Sequence, residues 1–201
     1  MSVDRSTLPT LVLGSSSKSR KILLERLQIP FICDSPDIDE SARPGESALE
    51  LVRRLSSEKA AAVAERHPNA LVIGSDQVAV NQDQILGKPG DAETAFHQLQ
   101  MASGKTVQFY TGLCLHNART GLQQVLVEPF VVKFRELDAA QIKGYIQKEK
   151  PFSCAGSFHS EGLGIALFDR LEGDDPAALM GLPLIRLVQM LENEGVDLLR
   201  E

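Results

Sequence analysis

Short apolar runs alternate with longer helical stripes along the first half of the chain. Residues 10–15, "TLVLGS", read as a buried strand. Residues 17–28 follow with Leu23, Leu24 and Leu27 on one helical stripe. "PFICD", residues 30–34, predicts a second strand, and "SPDIDESARPGES" predicts a loop broken by prolines, a glycine and serines. Ser47-x-x-Glu50 forms a capping box that opens a long helix to about His67, where Pro68-Asn69 stops it. "LVIGSDQVAV", residues 71–80, is the third strand; "NQDQ" reads as a turn and "ILGKP" follows it. Asp91 caps a helix that ends near Gly104.

The second half changes character. Two long β segments, 106–117 and 123–134, are joined by "ARTG" as a hairpin. Asp138-x-x-Gln141 starts a helix to about Lys150. "CAGSFHSEGLGIALF" predicts a Gly-rich loop and then a strand, and "GLPLIRLVQMLENEG" a final amphipathic helix ending at Gly195. Alternation followed by a hairpin predicts an α/β fold with a mixed twisted β-sheet and flanking helices. No internal repeat or low-complexity linker divides the 201 residues, which read as a single domain.

Composition narrows the function. The chain is 43% apolar and 24% charged, enough for a sizeable core. The net charge is −6 and cationic runs are short, which argues against nucleic acid as a partner. Cys33, Cys114 and Cys154 lie far apart with no Cys-x-x-Cys pair, so zinc is not expected and a reducing compartment fits. "MSVDRSTLPT" lacks the apolar core of a signal peptide, and no apolar run reaches about 18 residues. A cytoplasmic protein without a membrane partner is the expectation.

Candidate chemistry lies in the polar residues that interrupt apolar patterns. Arg20 starts the Leu23–Leu24–Leu27 stripe, after a Ser-rich turn whose backbone amides and helix N-terminus suit an anion. Ser15 and Ser17 add hydroxyls there; the plainer reading is a serine cap beside a surface arginine. Lys59 sits four residues after Leu55 and four before Val63, either snorkelling outward or facing a polar cleft. Lys88 is pinned between Gly87 and Pro89, a sequence that ordinary turns also use. Asp37, Asp39 and Glu40 form an acidic loop, solvated by default. Asp76 sits inside a strand, where a carboxylate is costly unless compensated; loop amides could also satisfy it. Cations at strand-to-helix turns suit a polyphosphate, and carboxylates suit Mg²⁺ or the activation of water. The Walker sequence G-x-x-x-x-G-K-[ST] is absent.

"LGSSSKSR", "DIDE", "EKA", "IGSDQV", "GKP", "YTG", "AGSF" and "GLPL" stand in the order seen in Maf-type nucleoside triphosphate pyrophosphatases, from about Leu11 to Leu191. The chain resembles that family, and "AGSFHSEGLGIALFDRLEGDDPAALMGLPL" looks like its YceF-type subgroup, associated with 7-methyl-GTP. The resemblance implies two α/β lobes around a cleft, similar to inosine triphosphate pyrophosphatases. It implies hydrolysis between the α and β phosphates of a nucleotide, with a divalent cation, Mg²⁺ or Mn²⁺. The family's proton acceptor falls on Asp76, and its phosphate loop on Ser15, Ser17 and Arg20. Its acidic and basic cleft residues fall on Glu40, Lys59 and Lys88; positions tied to substrate choice fall on Ser19, Gln77 and Glu161. Glu40 and Asp76 are then the metal-facing carboxylates, with Asp76 read as base, metal ligand or both. Ser19 cannot stack on a base, so Phe158 is the candidate aromatic. The alternatives are dTTP or UTP as substrate, or a non-catalytic nucleotide-binding regulator of cell division. Exposed edges of the long hairpin would allow a homodimer.

Overall fold

A seven-stranded mixed sheet runs through the computed structural model, which describes residues 9–200. Residues 1–8, most of the stretch read above as lacking a signal peptide, and residue 201 lie outside the described residues. The strands are β1 (Leu11–Gly14), β2 (Phe31–Cys33), β3 (Leu71–Asn81), β4 (Gln84–Leu86), β5 (Thr106–Asn117), β6 (Leu122–Phe134) and β7 (Phe168–Glu172). Their order is β2-β1-β3-β5-β6-β7, with β4 also paired to β3. β1 runs parallel to β2 and β3; every other pairing is antiparallel. The helices are α1 (Lys18–Glu25), α2 (Ala48–Ala64), α3 (Ala92–Ala102), α4 (Ala139–Glu149) and α5 (Leu184–Asn193).

Period-two alternation explains the layers. Val12, Val72 and Cys114 face α2 with Ala60 and Val63, and Val78 joins Leu51, Val52 and Leu55. Leu11, Leu13, Leu71, Ile73, Leu113 and Leu115 point to the opposite face, where α1 and α5 cover them. Further along that face, Ala79, Val107, Phe109, Phe130 and Val132 pack on α3 and α4. Two apolar clusters thus share one face, and the site lies between them.

The predicted cap residues hold. Ser47 and Glu50 form the reciprocal capping box of α2, and Asp138 with Gln141 does the same for α4. "NQDQ" closes as a two-residue turn with Gln82 and Asp83 at φ 48° and 68°, the primed geometry that matches strand twist. Helix ends differ from expectation. α1 stops at Glu25 rather than Gln28, because the chain tightens into i→i+3 bonds and Gln28 turns to φ 54°. The 154–168 segment is mostly two short 3₁₀ turns, with β7 starting only at its last residue. The hairpin offers less free edge than expected: β5 is interior, flanked by β3 and β6.

Candidate active site

β3 has β5 along one edge from Leu71 to Val80, but its other edge is shared. β1 accompanies it only to the Gly14–Gly74 pair, and β4 only from Ala79. Ser75–Val78 therefore have a strand neighbour on one side only. Beyond the carboxyl end of a parallel strand is where open α/β sheets commonly take ligands. A cavity of about 740 Å³ opens there, and all ten sequence-predicted site residues border it.

Successive strand residues point to opposite faces, so Asp76 and Gln77 look different ways. Asp76 faces α2. Its Oδ1 accepts a 2.6 Å hydrogen bond from Lys59 Nζ. The same Nζ lies 2.8 Å from Glu40 Oε2, so one ammonium bridges two carboxylates from different elements. The side chains of Lys59 and Asp76 are 7% and 11% exposed, which makes the pairing obligatory. Among the described residues Asp76 Oδ2 takes no hydrogen bond.

Lys59 is delivered by close packing. A Cβ on Gly74 would lie 2.1 Å from the Ser56 carbonyl, and one on Gly112 would lie 2.1 Å from that of Val52. Only glycine lets α2 sit directly on β3 and β5 at this height. The loop bearing Glu40 is latched to the same helix by Arg54. Its guanidinium donates to both Glu46 oxygens (2.6 and 2.8 Å), to the Ser41 carbonyl (3.0 Å) and to Glu58 (2.9 Å). Asp39 caps the Ser41 amide, and neither it nor Asp37 borders the cavity.

On the opposite face Gln77 Nε2 donates to Thr111 Oγ1, the Ala178 carbonyl and the Leu179 carbonyl at 2.9, 2.8 and 3.2 Å. Ser75 Oγ donates to the Gly181 carbonyl at 2.8 Å. This buried polar band separates the two apolar clusters and is roofed by the 3₁₀ turn at Pro176–Met180. Arg20 Nε donates to the same Gly181 carbonyl at 2.7 Å, and Nη1 to Ser15 Oγ at 3.4 Å. Burial pushes the Arg20 guanidinium below its ordinary value, opposed by the charges of Asp76 and then Glu40. Ser17 Oγ accepts the Arg20 amide, so the plain capping reading describes its bond, while the residue also borders the cavity.

Ser19 Oγ donates to Glu161 Oε1 at 2.7 Å across the cavity mouth. Lys88 borders the cavity as an exposed residue with no ion pair or hydrogen bond among the described residues. Phe158 corrects an expectation. It borders the cavity but is only 5% exposed, and its ring packs in T-shaped contacts with Phe109, Phe134 and Phe168 at 4.8–5.7 Å, which leaves little of it free to stack on a base.

Three contributors escaped the sequence reading. Gly181 and Thr111 act through a carbonyl and a hydroxyl that carry no pattern signal; Arg54 could have been found, as a charged residue beside Leu55 on α2. A second hollow, about 680 Å³, is lined in part by the residues of this latch, Arg43, Glu46, Arg54 and Glu58, and no predicted site residue borders it. Among the described residues no three His, Cys, Asp or Glu side chains gather as a metal cluster, and no helix is long and apolar enough to cross a membrane.

The chain is 59% identical over 190 residues to the 7-methyl-GTP pyrophosphatase of Alcanivorax borkumensis, covering 94% of this chain and 96% of that one. It is 56% identical over 199 residues to the protein of the same name from Nitrosococcus oceani, covering 99% and 100%. It is 57% identical over 191 residues to the one from Pseudomonas aeruginosa, covering 95% and 100%. The family profile described as Maf-like protein matches residues 10–194, and the chain belongs to the Maf family.

Proposed function

We propose that the protein is a nucleotide pyrophosphatase that hydrolyses 7-methyl-GTP to 7-methyl-GMP and pyrophosphate. The observation that carries the reading is the Lys59 bridge between Asp76 and Glu40 at the wall of a cavity that Arg20 and Lys88 also border. The relatives' shared name supports the substrate.

Water adds to the α phosphorus while the bond to the bridging oxygen breaks, and pyrophosphate leaves with that electron pair. Asp76 takes the water proton through Oδ2, while Lys59 holds Oδ1. Arg20, Lys59 and Lys88 neutralise the triphosphate and the departing pyrophosphate. Ser15 Oγ already accepts from the Ser17 amide and from Arg20, so its O–H is left to donate to phosphate oxygen. Ser17 Oγ, accepting the Arg20 amide, is in the same position.

The donor set fits a divalent cation, Mg²⁺ or Mn²⁺, held by Asp76 and Glu40. Lys59 occupies one oxygen of each carboxylate; the free Glu40 oxygen would face a metal that takes few protein ligands and shares phosphate oxygens, and Asp76 Oδ2 would either join it there or take the water proton. Bound there, it supplies positive charge to the phosphates and acidifies water. Base choice falls to Glu161 and Gln77. Three contacts engage the Gln77 amide nitrogen, so its carbonyl remains to accept from a guanine edge. The Glu161 carboxylate complements the positive charge of a 7-methylated ring, and Ser19 orients it. The apolar clusters flanking the cavity support a single domain of two lobes. Three free thiols support a cytoplasmic location.

Pyrophosphate release from 7-methyl-GTP, GTP, dTTP and UTP, with and without Mg²⁺, tests the proposal. The highest kcat/KM is expected for 7-methyl-GTP with Mg²⁺. Faster turnover of dTTP or UTP, or no release above a no-enzyme control, would sink it.

A further inference from the structure

Glu161 lies on a segment with no sheet partner. Residues 158–162 separate two short 3₁₀ turns, and no ladder bond fixes them. Their anchorage comes from α4 instead. Tyr145 and Glu149 are one turn apart on that helix and share a face. The His159 amide donates to Tyr145 Oη at 2.9 Å. Glu149 Oε1 accepts the Leu163 amide at 3.0 Å, and Oε2 lies 3.2 Å from His159 Nδ1. Glu149 thus holds the residue two before Glu161 and the residue two after it. Gly162 fits closely under the clamp: a Cβ there would lie 2.8 Å from Glu149 Oε2. Glu149 itself borders the cavity.

We infer that Glu149 is a positioning residue for Glu161, and through it a determinant of base choice. The inference rests on the proposed role of Glu161 as the residue that reads the base. A carboxylate directed at one ring must be held in place, because a shift of about 1 Å in a positioned group can cost 10²-fold in rate. The segment has no regular structure of its own to supply that precision. Two bonds from one carboxylate, spanning the apex, do supply it.

The test is the ratio of kcat/KM for 7-methyl-GTP to that for GTP in the full-length enzyme. Glu149→Ala should narrow the ratio on the order of tenfold. Glu149→Gln should restore most of it, since an amide can still accept from Leu163 and donate to an unprotonated His159 Nδ1. Gly162→Ala, which crowds the clamp without deleting a polar group, should narrow the ratio in the same direction. In a Glu161→Gln background, Glu149→Ala should add nothing further. An equal loss for both nucleotides in Glu149→Ala and in Gly162→Ala, or a further narrowing without the Glu161 carboxylate, would overturn the positioning role. Glu161→Gln with an unchanged ratio would instead remove the base-reading role itself, and the inference with it.

Discussion

Lys59 Nζ stands 2.6 Å from Asp76 Oδ1, although the two residues are seventeen positions apart and belong to a helix and a strand. Each is the other's reason for being buried. Breaking such a pair by removing one partner typically costs about 3–5 kcal/mol, because an uncompensated charge is left behind. Lys59→Met and Asp76→Leu should each lower the chemical-denaturation midpoint. The double variant should lose much less than the sum of the two. Additive losses in the cycle would show that the pair is not coupled.

Asp76→Asn keeps the shape and a hydrogen-bond acceptor for Lys59 but removes the proton acceptor. It should lower kcat roughly 10²–10⁴-fold, the usual contribution of a general base. Single-turnover pyrophosphate release measures this, and wild-type turnover in the variant would refute the assignment.

Gly74→Ala places a methyl group 2.1 Å from the Ser56 carbonyl and 2.7 Å from the Ala60 amide. Helix α2 must then move off β3 and take Lys59 with it. Overpacking of this kind costs about 1–3 kcal/mol, and turnover should fall along with stability. Gly45→Ala is a poor control because of its φ of +78°; Gly87→Ala, with open space around it, should leave the thermal midpoint nearly unchanged.

Acid sensitivity should arise at Glu46 and Asp34. Arg54, then the Arg43 amide, hold the Glu46 carboxyl at about 2 against an ordinary 4.5. Arg66, then His67, hold Asp34 at about 2 against 3.8. Both folded values lie below the unfolded ones, so the unfolded chain takes up protons first as pH falls. The stability they contribute is complete above about pH 5 and is lost progressively toward pH 2. Unfolding midpoints measured from pH 6 down to pH 2.5 should fall for the wild type and fall less steeply for Glu46→Gln combined with Asp34→Asn.

Asp175 is 2% exposed and ties two elements together. Oδ1 accepts the Ala177 amide at 3.0 Å and Oδ2 the Ile185 amide at 2.7 Å, capping the 3₁₀ turn and α5 at once. Asp175→Ala leaves the buried Ala177 amide unpaired, at about 1–3 kcal/mol, and takes the cap from the Ile185 amide near the start of α5. The turn that presents the Gly181 carbonyl to Arg20 and Ser75 should loosen with it. Thermal unfolding together with KM for the nucleotide checks both effects.

Much of this was written in local pattern. Ser47 and Glu50 cap α2 because a hydroxyl and a carboxylate three residues apart satisfy each other's backbone, which needs no tertiary context. Lys59 on an apolar stripe and Asp76 inside an apolar strand stood out as costs without visible compensation. Phe158 misled for the complementary reason. An aromatic near a Gly-rich loop looks like a stacking platform, yet its ring is packed against Phe109 and Phe134 from distant strands and against Phe168 at the start of β7.

By itself the sequence determined the helix caps, the alternation that sorts side chains to two faces of the sheet, and which charged residues lacked a local partner. Those follow from interactions within a few residues of chain. The tertiary structure alone decided that one ammonium bridges Asp76 and Glu40, that β3 is left open between β1 and β4, and that α4 clamps the segment bearing Glu161. Each depends on elements far apart in the chain meeting at hydrogen-bond distance, and packing density, here admitted by Gly74 and Gly112, is what brings them there.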